Sequence, residues 1–168
     1  MMLSNKKIAV VGAGHMGAAL IGGMLRAKLT VPKNITASRH SAEALAALKK
    51  EWGANTGTDN KKAAAGADIV ILAVKPQVSP AVLAELASVV KPHQLVISLM
   101  AGITTKTISQ KLGQPCPVVR AMPNTPCLVD AGATAVAAGA QAGAGDMALA
   151  EKIFSSMGKV VALPEAAM

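Results

Sequence analysis

At 168 residues, 52% of them hydrophobic, the chain has the length of one domain and enough apolar side chains to bury roughly 70% of its unfolded surface. Seventeen Lys and Arg against nine Asp and Glu give a net charge of +8, scattered except for pairs such as Lys49-Lys50 and Lys61-Lys62; with Trp52 and Phe154 the only aromatics, this argues against a nucleic-acid surface built on base stacking and suits an anionic small ligand. No run of 18 apolar residues is free of charges and turn signals, so no membrane span is expected, and Cys116 and Cys127 lack C-x-x-C spacing and read as idle thiols of a reducing cytosol.

Residues 8–11, Ile-Ala-Val-Val, predict a strand buried on both faces, as in a parallel sheet. Gly12, Gly14 and Gly17 follow as G-x-G-x-x-G, where that strand turns into a helix. Gly12 serves the tight turn, Gly14 the approach of a pyrophosphate to the backbone, and Gly17 the packing of helix on strand. Ala13, His15 and Met16 fill the motif, and the free N–H groups of the helix start attract phosphate. The alternative is a packing turn without a ligand. Met16, Leu20, Ile21, Met24 and Leu25 recur at helical spacing as an apolar face for the sheet, and residues 31–34 are expected to end the helix.

Residues 34–38 predict a second strand, whose end meets the adenosine ribose in a dinucleotide fold. No acidic residue occurs between Gly17 and Glu43; Ser38, Arg39 and His40 hold the position instead. A carboxylate there would repel a 2′-phosphate, whereas Arg39 offers a planar fork of donors and Ser38 a hydroxyl. NADP(H) over NAD(H) is the expected preference; the bland alternative is a solvated Arg39 of little consequence. Ser41 caps the next helix, with Leu45 and Leu48 turned inward, and residues 54–58 form a third strand. Asn60 is expected to cap a short helix over 61–65, with its amide in reach of the adenine end.

Residues 69–74 are the clearest buried strand after the first, stopping at Lys75-Pro76-Gln77. Strand carboxyl ends face the ligand crevice in open parallel sheets, so Lys75, after Ala73-Val74 and before Pro76, is well placed to meet a cofactor. Lys75 is the candidate for a phosphate or the nicotinamide ribose, against a solvated loop lysine. A helix from Pro80 to Val90 is broken by Lys91-Pro92. The fifth strand, 95–99, ends in Met100, Ala101 and Gly102, where the nicotinamide half would lie close to backbone. Thr104 or Thr105 caps a helix to Leu112, and Gly113 ends it. A sixth strand over 118–121 leads into Met122-Pro123-Asn124-Thr125-Pro126, a loop stiffened by its prolines. Asn124 either orients the nicotinamide carboxamide or the substrate, or simply forms the turn. A strand over 132–138, a helix from 143–146 through Phe154 and a strand over 159–163 complete the chain. Strand–helix alternation throughout predicts a single-domain α/β fold, a doubly wound, mostly parallel sheet of Rossmann type. His15, His40 and His93 are too dispersed to hold a metal, and no Ser-His-Asp set offers a catalytic residue.

Val11 to Gly17, Ser38-Arg39, Asn60-Lys61, Ala73 to Gln77, Ser98 to Gly102 and Arg120 to Ala133 together resemble pyrroline-5-carboxylate reductases, and the likeness runs through essentially the whole chain. Val-Lys-Pro-Gln and Arg-Ala-Met-Pro-Asn-Thr-Pro are its most specific stretches. The resemblance implies hydride transfer from NADPH, with NADH as a second donor, to the imine of 1-pyrroline-5-carboxylate, giving L-proline. It implies a phosphate turn at Gly12 to Gly17, Ser38 and Arg39 at the adenosine phosphate, Asn60 near the adenine ribose, and Val74, Lys75 and Ala101 along the remainder. Such a step asks for orientation and proximity more than for a strong base. Family members continue into a helical domain that grips substrate and forms the dimer. Residues 1–163 are therefore expected to be the cofactor domain and 164–168 the start of a linker, with homo-oligomerisation through the absent domain, a cytoplasmic location, and no nucleic-acid or membrane partner. Two alternatives stay open: a non-catalytic NADP-binding module, and a same-fold reductase of the hydroxyacid dehydrogenase kind, against which Met-Pro-Asn-Thr-Pro speaks.

Overall fold

The structure is a computed structural model that describes residues 3–168; the first two residues of the expected domain lie outside the described residues. Its strands are β1 (Ile8–Val11), β2 (Ile35–Ser38), β3 (Asn55–Gly57), β4 (Ile69–Leu72), β5 (Leu95–Ser98), β6 (Val118–Pro123), β7 (Gly132–Ala138) and β8 (Gly158–Ala162). Its helices are α1 (His15–Arg26), α2 (Ala42–Trp52), α3 (Asn60–Ala65), α4 (Ser79–Leu86), α5 (Thr105–Leu112) and α6 (Ala144–Phe154). The strands form one sheet in the order β3-β2-β1-β4-β5-β6-β7-β8. Pairings from β3 to β6 are parallel, β7 runs antiparallel to β6, and β8 lies parallel to β7. The chain winds outward in one direction from β1 and resumes on its other side at β4, so the crevice beyond these two strands is the topological switch point.

The two-residue period of the strands divides the core. Ile8, Val10, Ile35, Ala37, Ile69, Ile71, Leu95 and Ile97 pack with Leu20, Ile21 and Met24 of α1, Leu45 and Leu48 of α2, and Ile153 and Phe154 of α6. Ala9, Val11, Val70, Leu72, Val96 and Val118 pack with Ala63 and Ala64 of α3, Leu83 and Leu86 of α4, and Ile108 and Leu112 of α5. Both faces of β1, β4 and β5 are thus buried, which explains their uninterrupted apolar sequence. Among the described residues no helix is long and apolar enough to cross a membrane.

Several element ends differ from the sequence expectation, each for a local reason. Helix α1 ends at Arg26, before residues 31–34, because the Lys28 and Leu29 N–H groups donate back to Leu25 and Met24 carbonyls at 3.0 Å each while Lys28 takes φ +53°. That is a Schellman turn made without glycine. Asp59 rather than Asn60 caps α3, accepting from the Lys62 N–H at 3.0 Å. Helix α4 stops at Leu86, whose carbonyl then accepts from both Val89 and Val90 N–H groups in a closing turn. Strand β6 runs on through Met122 and Pro123, which pair with Ala135 and Thr134 of β7. Pro123 lies beyond the last β5 pairing, Ser98 with Arg120, where β5 asks no N–H of it.

Candidate functional site

At the carboxyl end of β1 the backbone turns through Gly12 at φ +81°. A Cβ there would meet Val74, overlapping its side chain and reaching its backbone nitrogen at 2.9 Å. The Gly12 and Ala13 N–H groups both donate to the Ser38 carbonyl, at 2.9 and 3.0 Å, and the Gly14 N–H donates to the Gly12 carbonyl at 2.6 Å. The first two amides hold the turn to β2, the third closes the turn on itself, and none of them is offered outward; Ala13 is itself a core residue.

The outward donors begin one residue later. Gly14 is the N-cap of α1, no side chain caps the helix, and no acidic residue stands in its first turn. The first N–H bonded back to the cap is that of Ala18, to the Gly14 carbonyl at 2.8 Å. The amides of His15, Met16 and Gly17 therefore remain, with the positive end of the helix dipole behind them. A Cβ on Gly14 would find nothing nearer than the Gly12 oxygen at 3.9 Å, so the space before this backbone is open. At Gly17 a Cβ would press on Val10 Cγ1 at 3.2 Å and Ala73 Cβ at 3.4 Å, which is the close seating of α1 on β1 and β4. His15 is exposed and Met16 is half-buried against the core.

Beside this turn, at the end of β2, three side chains form a relay. Ser38 Oγ donates to Asn60 Oδ1 at 2.8 Å, and Asn60 Nδ2 donates to Glu85 Oε2 at 2.9 Å. Ser38 is fully buried, and its hydroxyl is engaged by Asn60 of α3. Arg39 is exposed, and no ion pair or side-chain hydrogen bond engages its guanidinium among the described residues. Sequence reading missed Glu85, which lies on α4, 25 residues past Asn60, and belongs to no motif.

Past β4, Ala73, Val74 and Pro76 are half-buried and Lys75 is exposed without an ion pair among the described residues. Past β5, Met100 is fully buried among α4 and α5 side chains, and its N–H goes to Ser98 Oγ at 3.2 Å. The Met100 side chain is thus part of the core, while Ala101 and Gly102 are exposed. Asn124 is exposed but works for its own loop: Oδ1 accepts from the Ala133 N–H at 2.9 Å, and its carbonyl accepts from the Cys127 N–H at 3.1 Å. Its Nδ2 keeps two donors without a partner among the described residues. Far along the sequence, Arg26 anchors the same loop by a two-pronged bond to Asp130, at 3.0 and 2.7 Å, and lies 5.3 Å from the Trp52 ring centroid.

A separate cavity of about 290 Å³, lined by Lys7, Lys33, Asn34, Thr36, Asn55 and Lys62 among others, opens at the amino ends of β1, β2 and β3. It lies at the opposite end of the sheet from the glycine turn. Both cysteines are free and buried, and burial pushes the Cys116 thiol up, away from reactivity. No group of three or more His, Cys, Asp or Glu among the described residues could hold a metal.

A glycine turn and an uncapped helix start at the switch point of a doubly wound parallel sheet define a dinucleotide-binding domain of Rossmann type. The chain belongs to the NADP oxidoreductase, coenzyme F420-dependent, family, whose model matches residues 7–102. It is also similar, over nearly its full length, to pyrroline-5-carboxylate reductases, as its motifs led us to expect. That of Pseudomonas aeruginosa is 44% identical over 156 residues, 93% of this chain and 57% of the relative. The solved structure of the Coxiella burnetii pyrroline-5-carboxylate reductase superposes with a TM-score of 0.91 at 35% identity, covering 96% of this chain and 60% of that one. The Plasmodium falciparum pyrroline carboxylate reductase, solved with NADP bound, gives 0.84 at 28% identity, covering 96% and 59%. This chain therefore spans less than two thirds of the length of these relatives.

Proposed function

We propose that this chain is the cofactor half of a pyrroline-5-carboxylate reductase, binding NADPH in preference to NADH for reduction of 1-pyrroline-5-carboxylate to L-proline. The observation that carries this is the uncapped start of α1 with open space before Gly14, in a chain 44% identical to a reductase of that name. The His15, Met16 and Gly17 amides would hold the pyrophosphate, and Arg39 the adenosine 2′-phosphate. Ser38 and Asn60 act by fixing the end of β2 and the start of α3 rather than by touching the phosphate. Val74, Lys75, Ala101 and Gly102 would border the nicotinamide half, with Asn124 Nδ2 as a donor toward the carboxamide or substrate. NADPH, when bound, supplies the hydride; the protein's part is to hold donor and imine in line and exclude water.

On the same reading residues 1–163 are the cofactor domain and 164–168 lead toward a helical part that grips substrate and forms a homo-oligomer. That is why no catalytic residue is assigned among these positions. Two buried, unbridged cysteines suit a cytoplasmic location. Arg39→Ala should weaken NADPH binding by roughly 1–3 kcal/mol, the worth of a charge-assisted contact, and leave NADH binding as it was. Parallel titrations with the two cofactors check this, and equal losses for both would remove Arg39 from the phosphate site.

A further inference from the structure

Strand β6 carries a cation into the interior. Arg120 pairs with Ser98 of β5 and Ala137 of β7 and is only 6% exposed. Its Nε has no hydrogen-bond partner among the described residues. Its counter-charge is Glu165, whose Oε1 lies 3.6 Å from a terminal guanidinium nitrogen. The same carboxylate seats on the first residue of α5: the Thr105 N–H donates to Oε1 at 2.8 Å, and Thr105 Oγ1 donates to Oε2 at 2.7 Å. The ordinary cap of this helix is separate, the Thr104 hydroxyl accepting from the Thr107 N–H at 3.2 Å, and no acidic residue stands in the first turn. Two independent features therefore converge on one place, a helix start and a buried arginine with a donor still unmade.

We propose that Arg120 and Thr105 form a carboxylate-binding site whose intramolecular ligand is Glu165, and which small free carboxylates fill when Glu165 is away. The donor set fits that ligand class. An amide and a hydroxyl take one oxygen each of a planar two-oxygen anion, and the guanidinium supplies charge from the side. A guanidinium buried without an anion is strongly destabilising, so the site favours being filled. Glu165 opens the turn Glu165–Ala167 just after β8 and lies 60 residues from Thr105 in sequence. Seating it latches the segment leaving β8 onto α5, and unseating it frees that segment. The site is distinct from the glycine turn, and the inference stands whether or not the chain binds a dinucleotide.

The test is chemical rescue of Glu165→Ala, read by melting temperature and by hydrogen exchange at the Thr105 amide. The substitution should lower the melting temperature by roughly 5–15 °C, as expected for stripping the counter-charge from a buried arginine, and speed Thr105 exchange about tenfold or more. Sodium acetate or formate should restore both, and sodium chloride at matched ionic strength should restore neither. Glu165→Gln, which keeps an acceptor oxygen for Thr105 but fills the site, should lose less stability and gain nothing from acetate; it also serves if the alanine variant does not fold. An unchanged melting temperature in Glu165→Ala, equal rescue by chloride, or better rescue by inorganic phosphate than by acetate would each overturn the assignment.

Discussion

Gly12→Ala is expected to destabilise the fold by about 2–4 kcal/mol and to abolish tight NADPH binding, whereas Gly14→Ala should spare the fold and lose only the cofactor. The difference follows from what each new Cβ meets. At Gly12 the backbone sits at φ +81°, which costs an L-residue roughly 1–2 kcal/mol. The added atom would also press on the Val74 backbone, 2.9 Å from N and 3.0 Å from Cα. Val74 cannot withdraw freely, because the Ala73 N–H is bonded to the Val11 carbonyl at 2.8 Å. At Gly14 φ is −79°, and the nearest atom to a new Cβ is 3.9 Å away. An alanine there is tolerated by the chain alone and even reduces the freedom of the unfolded state, but it stands in the space that a pyrophosphate would use. Denaturant unfolding and NADPH titration of the two variants separate the contributions. A Gly14→Ala protein that binds NADPH as well as the parent would contradict the placement of the phosphates.

The second large effect is expected at the far side of the sheet. Gly158→Ala should cost about 3–5 kcal/mol and loosen the loop that carries Asn124. Gly158 begins β8 at φ +142°, and a Cβ there would run into the Gly132 carbonyl, with Gly132 C at 2.6 Å and N at 2.7 Å. Gly132 cannot move aside, since its own Cβ position is closed by Cys127, 2.7 Å from N and 2.8 Å from Cα, and its N–H is bonded to the Met157 carbonyl at 2.9 Å. Three backbone segments are stacked here without room for a methyl group, and Asn124 depends on the next residue, Ala133, for two of its bonds. Gly145→Ala in α6, where nothing lies within 4 Å, should stabilise by roughly 0.5–1 kcal/mol. Thermal unfolding of the pair should give shifts of opposite sign.

The strands and the glycine turn were legible because their physics is local. A four-residue apolar run such as Ile8–Val11 between polar flanks has few alternatives, and glycines at fixed offsets report backbone needs directly. Element ends were less legible wherever a distant partner sets them. Nothing near Met122 announces that β7 will pair with it, and the end of α1 lacks the glycine that such a turn usually shows. The same holds for the site. Arg39 and Lys75 are exposed, because charged residues directly after these buried strands stand where the sheet ends. The burial of Ser38 and Met100 was not legible, because it is decided by α3, α4 and α5, which cover that face of the sheet. The Asn60–Glu85 and Thr105–Glu165 contacts join residues 25 and 60 positions apart, and no sequence spacing encodes them.

The amides at the start of α1 are the groups we propose to bind the NADPH pyrophosphate. Amide chemical-shift mapping during an NADPH titration tests this most directly. One saturable site is expected, with the largest shifts at His15, Met16 and Gly17, a smaller set at Arg39, and none at the lysine-lined cavity of Lys7, Lys33 and Lys62. Shifts centred on those lysines with the α1 amides unmoved, or no saturation at all, would contradict it.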